Sequence, residues 1–131
     1  MKIDNTLLDE LTAQAQASPR LRMNVDLRNS AADSSQRMLN AIEPGSVVPI
    51  HRHQKTSETV VVLRGCVVEE YYSSAGVLEA SYELAAGGPV FALNIPAGQW
   101  HTLRALESGT VILEMKDGAY EPISPVDILS M

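Results

Sequence analysis

Gly45-Ser46-Val47-Val48-Pro49-Ile50-His51-Arg52-His53-Gln54-Lys55-Thr56-Ser57-Glu58-Thr59-Val60-Val61-Val62-Leu63-Arg64-Gly65 decides the reading of this chain. His51 and His53 are two apart, so on an extended strand both imidazoles point to one face. Glu58 opens a second run of β-branched residues, and a hairpin joining Val47–His53 to Glu58–Leu63 would gather three metal-type ligands. A fourth comes from His101, which follows the turn Pro96-Ala97-Gly98 and is the third and last histidine of the sequence. Three neutral imidazoles and a carboxylate suit one divalent ion, with Zn, Fe, Mn and Ni all acceptable. An octahedral ion would keep about two positions open, as in a catalytic rather than a structural site.

Outward from this stretch the pattern is β-rich. Before it, Ile3, Leu7, Leu8, Leu11 and Ala15 recur at helical spacing, with Asp4, Asn5 or Thr6 as the cap and Ser18-Pro19 as the stop. Residues 20–27 read as extended, 29–35 as a polar loop and 36–42 as a strand that ends in Glu43-Pro44-Gly45. After Gly65, strands are expected over 67–72, 77–84, 90–95, 103–105 and 110–116, separated by Gly, Pro and polar turns. About eight or nine short strands after one helix suit an antiparallel sandwich or jelly roll. The boundaries are a helix over 1–19 packed outside, a β core over 33–116 and an irregular tail over 117–131.

The chain has 131 residues, 45% hydrophobic and 20% charged, and these values fit one globular domain. No apolar run approaches the ~18 residues of a membrane span, and the start lacks the apolar core of a secretory signal, so a cytoplasmic protein is expected. A net charge of −6 disfavours nucleic acid as a partner. The lone Cys66 cannot form an internal disulfide and reads as a small core residue.

Gly45-x5-His51-x-His53-x4-Glu58-x6-Gly65 matches the first motif of the cupin superfamily, and Pro96-x-Gly98-x-x-His101 the centre of its second. The chain thereby resembles cupins, which implies an all-β fold, a small antiparallel jelly-roll barrel with an N-terminal helix, and His51, His53, Glu58 and His101 as ligands of one divalent metal. Two positions depart from the pattern: Ala105 stands where the second motif ends in Asn, and Val90 where it begins with Gly. More narrowly, Arg22-Met23-Asn24, Gln36-Arg37-Met38-Leu39, His51-Arg52-His53 with Lys55 and Glu58, Gly98-x-Trp100-His101 and Glu114-x-Lys116-x-Gly118-x-Tyr120-x-Pro122 resemble the WbuC family of cupin-fold metalloproteins. Asp26 stands where its members often have histidine. That family is bacterial and often encoded beside surface-polysaccharide genes, and its reaction is not established.

Strand parity places Glu58, Val60 and Val62 on one face, His101, Leu103 and Ala105 on another, and Ile112, Glu114 and Lys116 on a third, where a buried Glu114 requires a partner. Gln36, Arg37, Lys55, Trp100 and Tyr120 are expected at the mouth as substrate-binding residues. The function implied is Lewis-acid chemistry of the isomerase or epimerase type on a small sugar-derived or anionic metabolite. An Fe(II)-dependent dioxygenase and a non-catalytic metal- or sugar-binding protein are the competing expectations. A homodimer is expected because cupins commonly pair.

Overall fold

The structure, a computed structural model, describes residues 1–118 and 120–129. Residues 119, 130 and 131 of the expected tail lie outside the described residues. Helix α1 (Asn5–Ala17) is followed by strands β1 (Arg22–Asp26), β2 (Ser35–Ile42), β3 (Glu58–Arg64), β4 (Cys66–Tyr72), β5 (Leu78–Ala85), β6 (Ala92–Ile95), β7 (Trp100–Ala105) and β8 (Thr110–Asp117). The strands form two antiparallel sheets, one ordered β1-β2-β8-β3-β6 and the other β5-β4-β7. No described helix is long and apolar enough to cross a membrane.

The hydrophobic pattern explains both layers. Helix α1 starts where the Asp4 carboxylate accepts from the Leu7 N–H at 3.0 Å, satisfying one of the free donors of the first turn. Its buried stripe of Leu8, Leu11 and Ala15 covers Leu39, Ala41 and Val111 on the outer face of the larger sheet. Each fully buried leucine contributes roughly 1.5–3 kcal/mol. Arg64 clamps the helix from below, donating to Asp9 at 2.7 Å and to the Thr12 hydroxyl at 3.0 Å.

Residues of opposite parity fill the space between the sheets. Ile42, Val60, Val62, Ile95 and Ile112 from the larger sheet meet Val67, Leu84, Leu103 and Ala105 from the smaller one. Cys66 lies buried at the start of β4, as a small core residue should, and burial, with Glu83 beside it, pushes its thiol up.

Gly65 makes the corner between β3 and β4. Its φ of +86° is in the left-handed region, and an added Cβ would come within 2.8 Å of the Thr110 Cα and closer still to the Thr110 hydroxyl. The clash with the Thr110 Cα cannot relax by a side-chain rotation, because that atom is backbone. Gly65→Ala is therefore expected to destabilise the protein by about 2–4 kcal/mol. A denaturant titration checks this, and a loss under ~1 kcal/mol would contradict the close approach.

One expected element is absent from the described residues. Val47–His53 is not a strand, and the hairpin with Glu58–Leu63 does not form. The segment is extended and forms no ladder: it has isolated bridges from His51 to His101 and to Ile128, with single main-chain bonds from Arg52 N–H to the Asp127 carbonyl, from Leu129 N–H to the Ile50 carbonyl and from Gly98 N–H to the His53 carbonyl. The reason is that β3 is already saturated, with β6 on one edge and β8 on the other. The histidine segment therefore docks across the end of the smaller sheet, beyond β7, and the tail closes on its other side.

Candidate metal centre and cavity

The backbone sets the histidines before their side chains are considered. His51 N–H donates to the His101 carbonyl at 3.0 Å, and His101 N–H returns a bond to the His51 carbonyl at 2.8 Å. This reciprocal bridge brings the two rings to 4.4 Å between centroids. His53, on the same side of the extended segment, lies 5.2 Å from His51 and 5.7 Å from His101. One ring nitrogen from each of the three histidines falls within 4.8 Å of the other two, so the triad could hold a metal ion.

Each ring is oriented by a contact of its own. His51 Nδ1 lies 2.8 Å from the Pro49 carbonyl, and His101 Nδ1 lies 2.8 Å from the Gln99 carbonyl. A carbonyl only accepts, so each Nδ1 carries the proton and donates it, which leaves Nε2 as the basic atom. In His101 that Nε2 is buried and has no hydrogen-bond partner among the described residues. An orphaned, outward-directed lone pair backed by an N–H to carbonyl bond is the arrangement of a metal-binding imidazole. Burial, with the neighbouring imidazole, pulls His51 down to about 4, and burial likewise lowers His101. Both rings are therefore neutral at physiological pH, as ligation requires.

Glu58 sits at the inner end of β3 facing the histidines. Its carboxylate lies 2.8 Å from His53 Nε2. Burial works to raise the Glu58 carboxyl, but the hydrogen bond from His53 and the nearby imidazoles outweigh it and hold the group below its ordinary value. A deprotonated carboxylate beside three imidazoles is a donor set that fits a divalent cation.

These groups open on a cavity of about 370 Å³, walled on the far side by Gln36, Asn40 and Glu114 and on the rim by Arg20, Arg22 and Tyr120. Of the five residues expected at the mouth, the structure brings Gln36 and Tyr120 to this cavity. Arg37 is not brought there. It lies on the opposite face of β2, donating to the Leu27 carbonyl and to Asp33. Lys55 lines an adjoining cleft of about 420 Å³ between residues 52–56, the end of β8 and the tail, which shares His53 and Lys116 with the cavity. Trp100 is buried, with the Arg52 guanidinium 4.6 Å over its ring. The tail is tethered beside it, because Asp127 accepts from Arg52 at 3.0 Å and from Gln54 at 2.6 Å.

Two inward-facing carboxyls, one half-buried and one fully buried, matter more than the expected mouth residues. Glu114, whose partner is the Asn40 amide at 3.5 Å, is pushed up to about 8 by burial and then by Glu58. Glu69 is fully buried and neither of its oxygens has a hydrogen-bond partner among the described residues. Burial, then Glu58 and Glu114, raise it well above the ordinary carboxyl value. The signal for Glu69 was available in strand parity, which puts it on the inward face with Val67 and Tyr71.

Two antiparallel sheets with a histidine cluster at one end define a cupin-fold protein. Among solved structures the chain is similar to the capsular polysaccharide assembling protein CapF from Staphylococcus aureus, at 19% identity and a TM-score of 0.67 over 80% of this chain and 30% of that one. It is also similar to an oxalate oxidase in complex with the substrate analogue glycolate, at 18% identity and a TM-score of 0.62 over 81% and 55%. A cupin 2 domain-containing protein from Halorhodospira halophila matches at 17% identity and a TM-score of 0.60 over 79% and 68%. The chain thus spans about 30% of the length of the CapF chain it matches. No curated protein matches it by sequence. By sequence the chain belongs to the family DUF6016, described as a domain of unknown function, whose model matches residues 3–84. The matched segment includes His51, His53 and Glu58 and ends before His101.

Proposed function

We propose that this chain is a mononuclear metal-dependent cupin of the WbuC type, with His51, His53, Glu58 and His101 as ligands, acting on a small sugar-derived or anionic metabolite by isomerase- or epimerase-type chemistry. The observation behind this reading is the triad geometry, above all the buried, unpartnered Nε2 of His101 with its Nδ1 held by a backbone carbonyl. That CapF is named as a polysaccharide-assembling protein and that oxalate oxidase binds glycolate favour small oxygen-rich substrates. A cytoplasmic homodimer built from the boundaries 1–19, 33–116 and 117–131 belongs to the same proposal.

When bound, the metal supplies Lewis-acid polarisation of a carbonyl or hydroxyl oxygen. The chain itself supplies the proton. In the metal-free chain Glu114, pushed up to about 8 by burial and then by Glu58, keeps its proton at neutral pH; it lines the cavity and lies beside the Asn40 amide. A carboxyl titrating near the working pH is suited to give and retake a proton at substrate carbon or oxygen. Glu69 does not line the cavity and is assigned no part in the exchange.

Elemental analysis of protein purified without added metal tests the first half of the proposal, and one equivalent per chain is expected. A substrate screen in D2O, with and without oxygen, tests the second. Deuterium should enter the substrate carbon independently of oxygen, whereas oxygen consumption would replace this reading with the dioxygenase. Glu114→Gln should retain the metal and lower exchange by about 100-fold or more.

A further inference from the structure

The inward face of the larger sheet carries more polar groups than the proposed ligand set uses. Register places Gln36, Lys116 and Glu58 side by side across β2, β8 and β3. In the next row Glu114 stands between Met38 and Val60, and in the third Asn40 stands beside Ile112. Side chains two apart on a strand share a face, so these residues form a polar strip from Glu58 diagonally to Asn40. Gln36, Asn40, Glu58, Glu114 and Lys116 all line the cavity of about 370 Å³.

Two atoms on this strip are costly as they stand. Gln36 Oε1 and Asn40 Oδ1 are buried acceptors with no hydrogen-bond partner among the described residues. A buried acceptor without a donor has lost its hydrogen bonds to water and gained none in return. Packing does not call for amides here, because Met38, Ile42 and Ile112 on the same face are apolar. What the two acceptors lack is donors, and they are four residues apart on β2, roughly 13 Å along an extended strand. Hydroxyl groups spread along a chain of several atoms would serve both. At the Asn40 end, Arg22 lies level with Ile42, and Arg20 lines the same cavity. Arg22 Nη1 is fixed by the Ser46 hydroxyl at 3.1 Å and the Val47 carbonyl at 2.9 Å, which orients the guanidinium. Among the described residues neither Arg20, Arg22 nor Lys116 forms an ion pair.

We propose that the cavity takes an anionic polyol, a polyhydroxylated chain with one carboxylate or phosphate, whose anionic end meets Arg20 and Arg22 and whose hydroxyls donate to Asn40 and Gln36. The proposal rests on the reading of this cavity as the substrate site, but none of the four contacts it names involves a metal ligand.

Titration calorimetry of the metal-loaded protein with four probes tests it: D-gluconate, D-glucitol 6-phosphate, D-glucitol and hexanoate. One of the first two should bind at least ~10-fold more tightly than both D-glucitol and hexanoate, and the better one identifies the anion. Asn40→Leu and Gln36→Met should each lower that affinity toward the hexanoate value. Arg22→Gln should lower it toward the D-glucitol value. Arg20→Gln, at an exposed side chain without a hydrogen bond among the described residues, reads the same contact should the Arg22 variant fail to fold. Equal binding of all four probes, no binding of either anionic polyol, or full affinity in the amide variants would overturn the proposal. Metal content measured on the same samples separates the two readings. Discrimination without stoichiometric metal removes only the metal centre, and metal without discrimination removes only the anionic polyol.

Discussion

His51→Ala combined with His101→Ala is expected to yield folded protein without stoichiometric metal. The two rings are placed by main-chain bonds between their own residues, at 3.0 and 2.8 Å, and these survive loss of the imidazoles. The bridge should therefore persist, and circular dichroism should show the same β content. What is lost is the pair of Nε2 donors whose Nδ1 atoms are fixed on the Pro49 and Gln99 carbonyls. The two remaining donors, His53 and Glu58, already pair at 2.8 Å, and two donors fall short of the three or more protein ligands of a catalytic divalent-metal site. Loss of an outer contact behind a ligand typically costs 10–100-fold in metal affinity, so loss of two ligands should cost more than ~1,000-fold. Elemental analysis reads this directly. A second readout is thermal: added metal should raise the melting temperature of the wild-type protein and not that of the double variant. Full metal retention in the double variant would sink the proposed ligation.

Local chemistry in the sequence reached the site further than it reached the sheet. The spacing of His51 and His53 already put both rings on one side of an extended segment, and the Pro96-Ala97-Gly98 turn delivered His101. Strand pairing between segments distant in sequence is not a local property, which is why the hairpin from Val47–His53 to β3 was a natural expectation and is absent. Both edges of β3 are taken by strands distant in sequence, β8 some fifty residues beyond it on one side and β6 on the other. Parity explains the mouth residues. Gln36 and Arg37 are adjacent on β2 and must point to opposite faces, so both could not enter one cavity. Gln36 turns inward to the cavity and Arg37 outward to Asp33. The same rule applied to Cys66–Tyr72 places Glu69 among the core residues. A charged residue type in a strand is easily assigned to the solvent side, but its parity with Val67 turns it inward, where it is fully buried.

The metal-free protein is expected to lose stability between pH 6.5 and about 8, and Glu114 accounts for a large part of the loss. Its carboxyl titrates near 8 when folded and near the ordinary 4.5 when unfolded. Across that window the folded state holds a proton that the unfolded chain has released, so raising the pH favours unfolding. Each pH unit is worth about 1.4 kcal/mol per group, and the full window about 2–5 kcal/mol after allowance for relaxation of the buried site. Glu69, raised by the same burial, adds in the same direction. The histidines oppose them at lower pH. His51 and His101 are held below the ordinary 6.5, so the unfolded chain binds more protons there, and stability falls as pH drops through that region. Between 4.5 and 6.5 the two effects act in opposite directions, and above 6.5 the histidine contribution is gone while the carboxyl slope continues. Urea unfolding in EDTA at pH 6, 7 and 8 should show this slope, and Glu114→Gln should remove Glu114's share of it, leaving the histidine slope below 6.5 without that opposition. An identical slope in wild type and Glu114→Gln would mean that Glu114 is ionised in the folded protein. It could not then be the proton donor of the cavity, so the stability slope and the exchange activity stand or fall on the same proton.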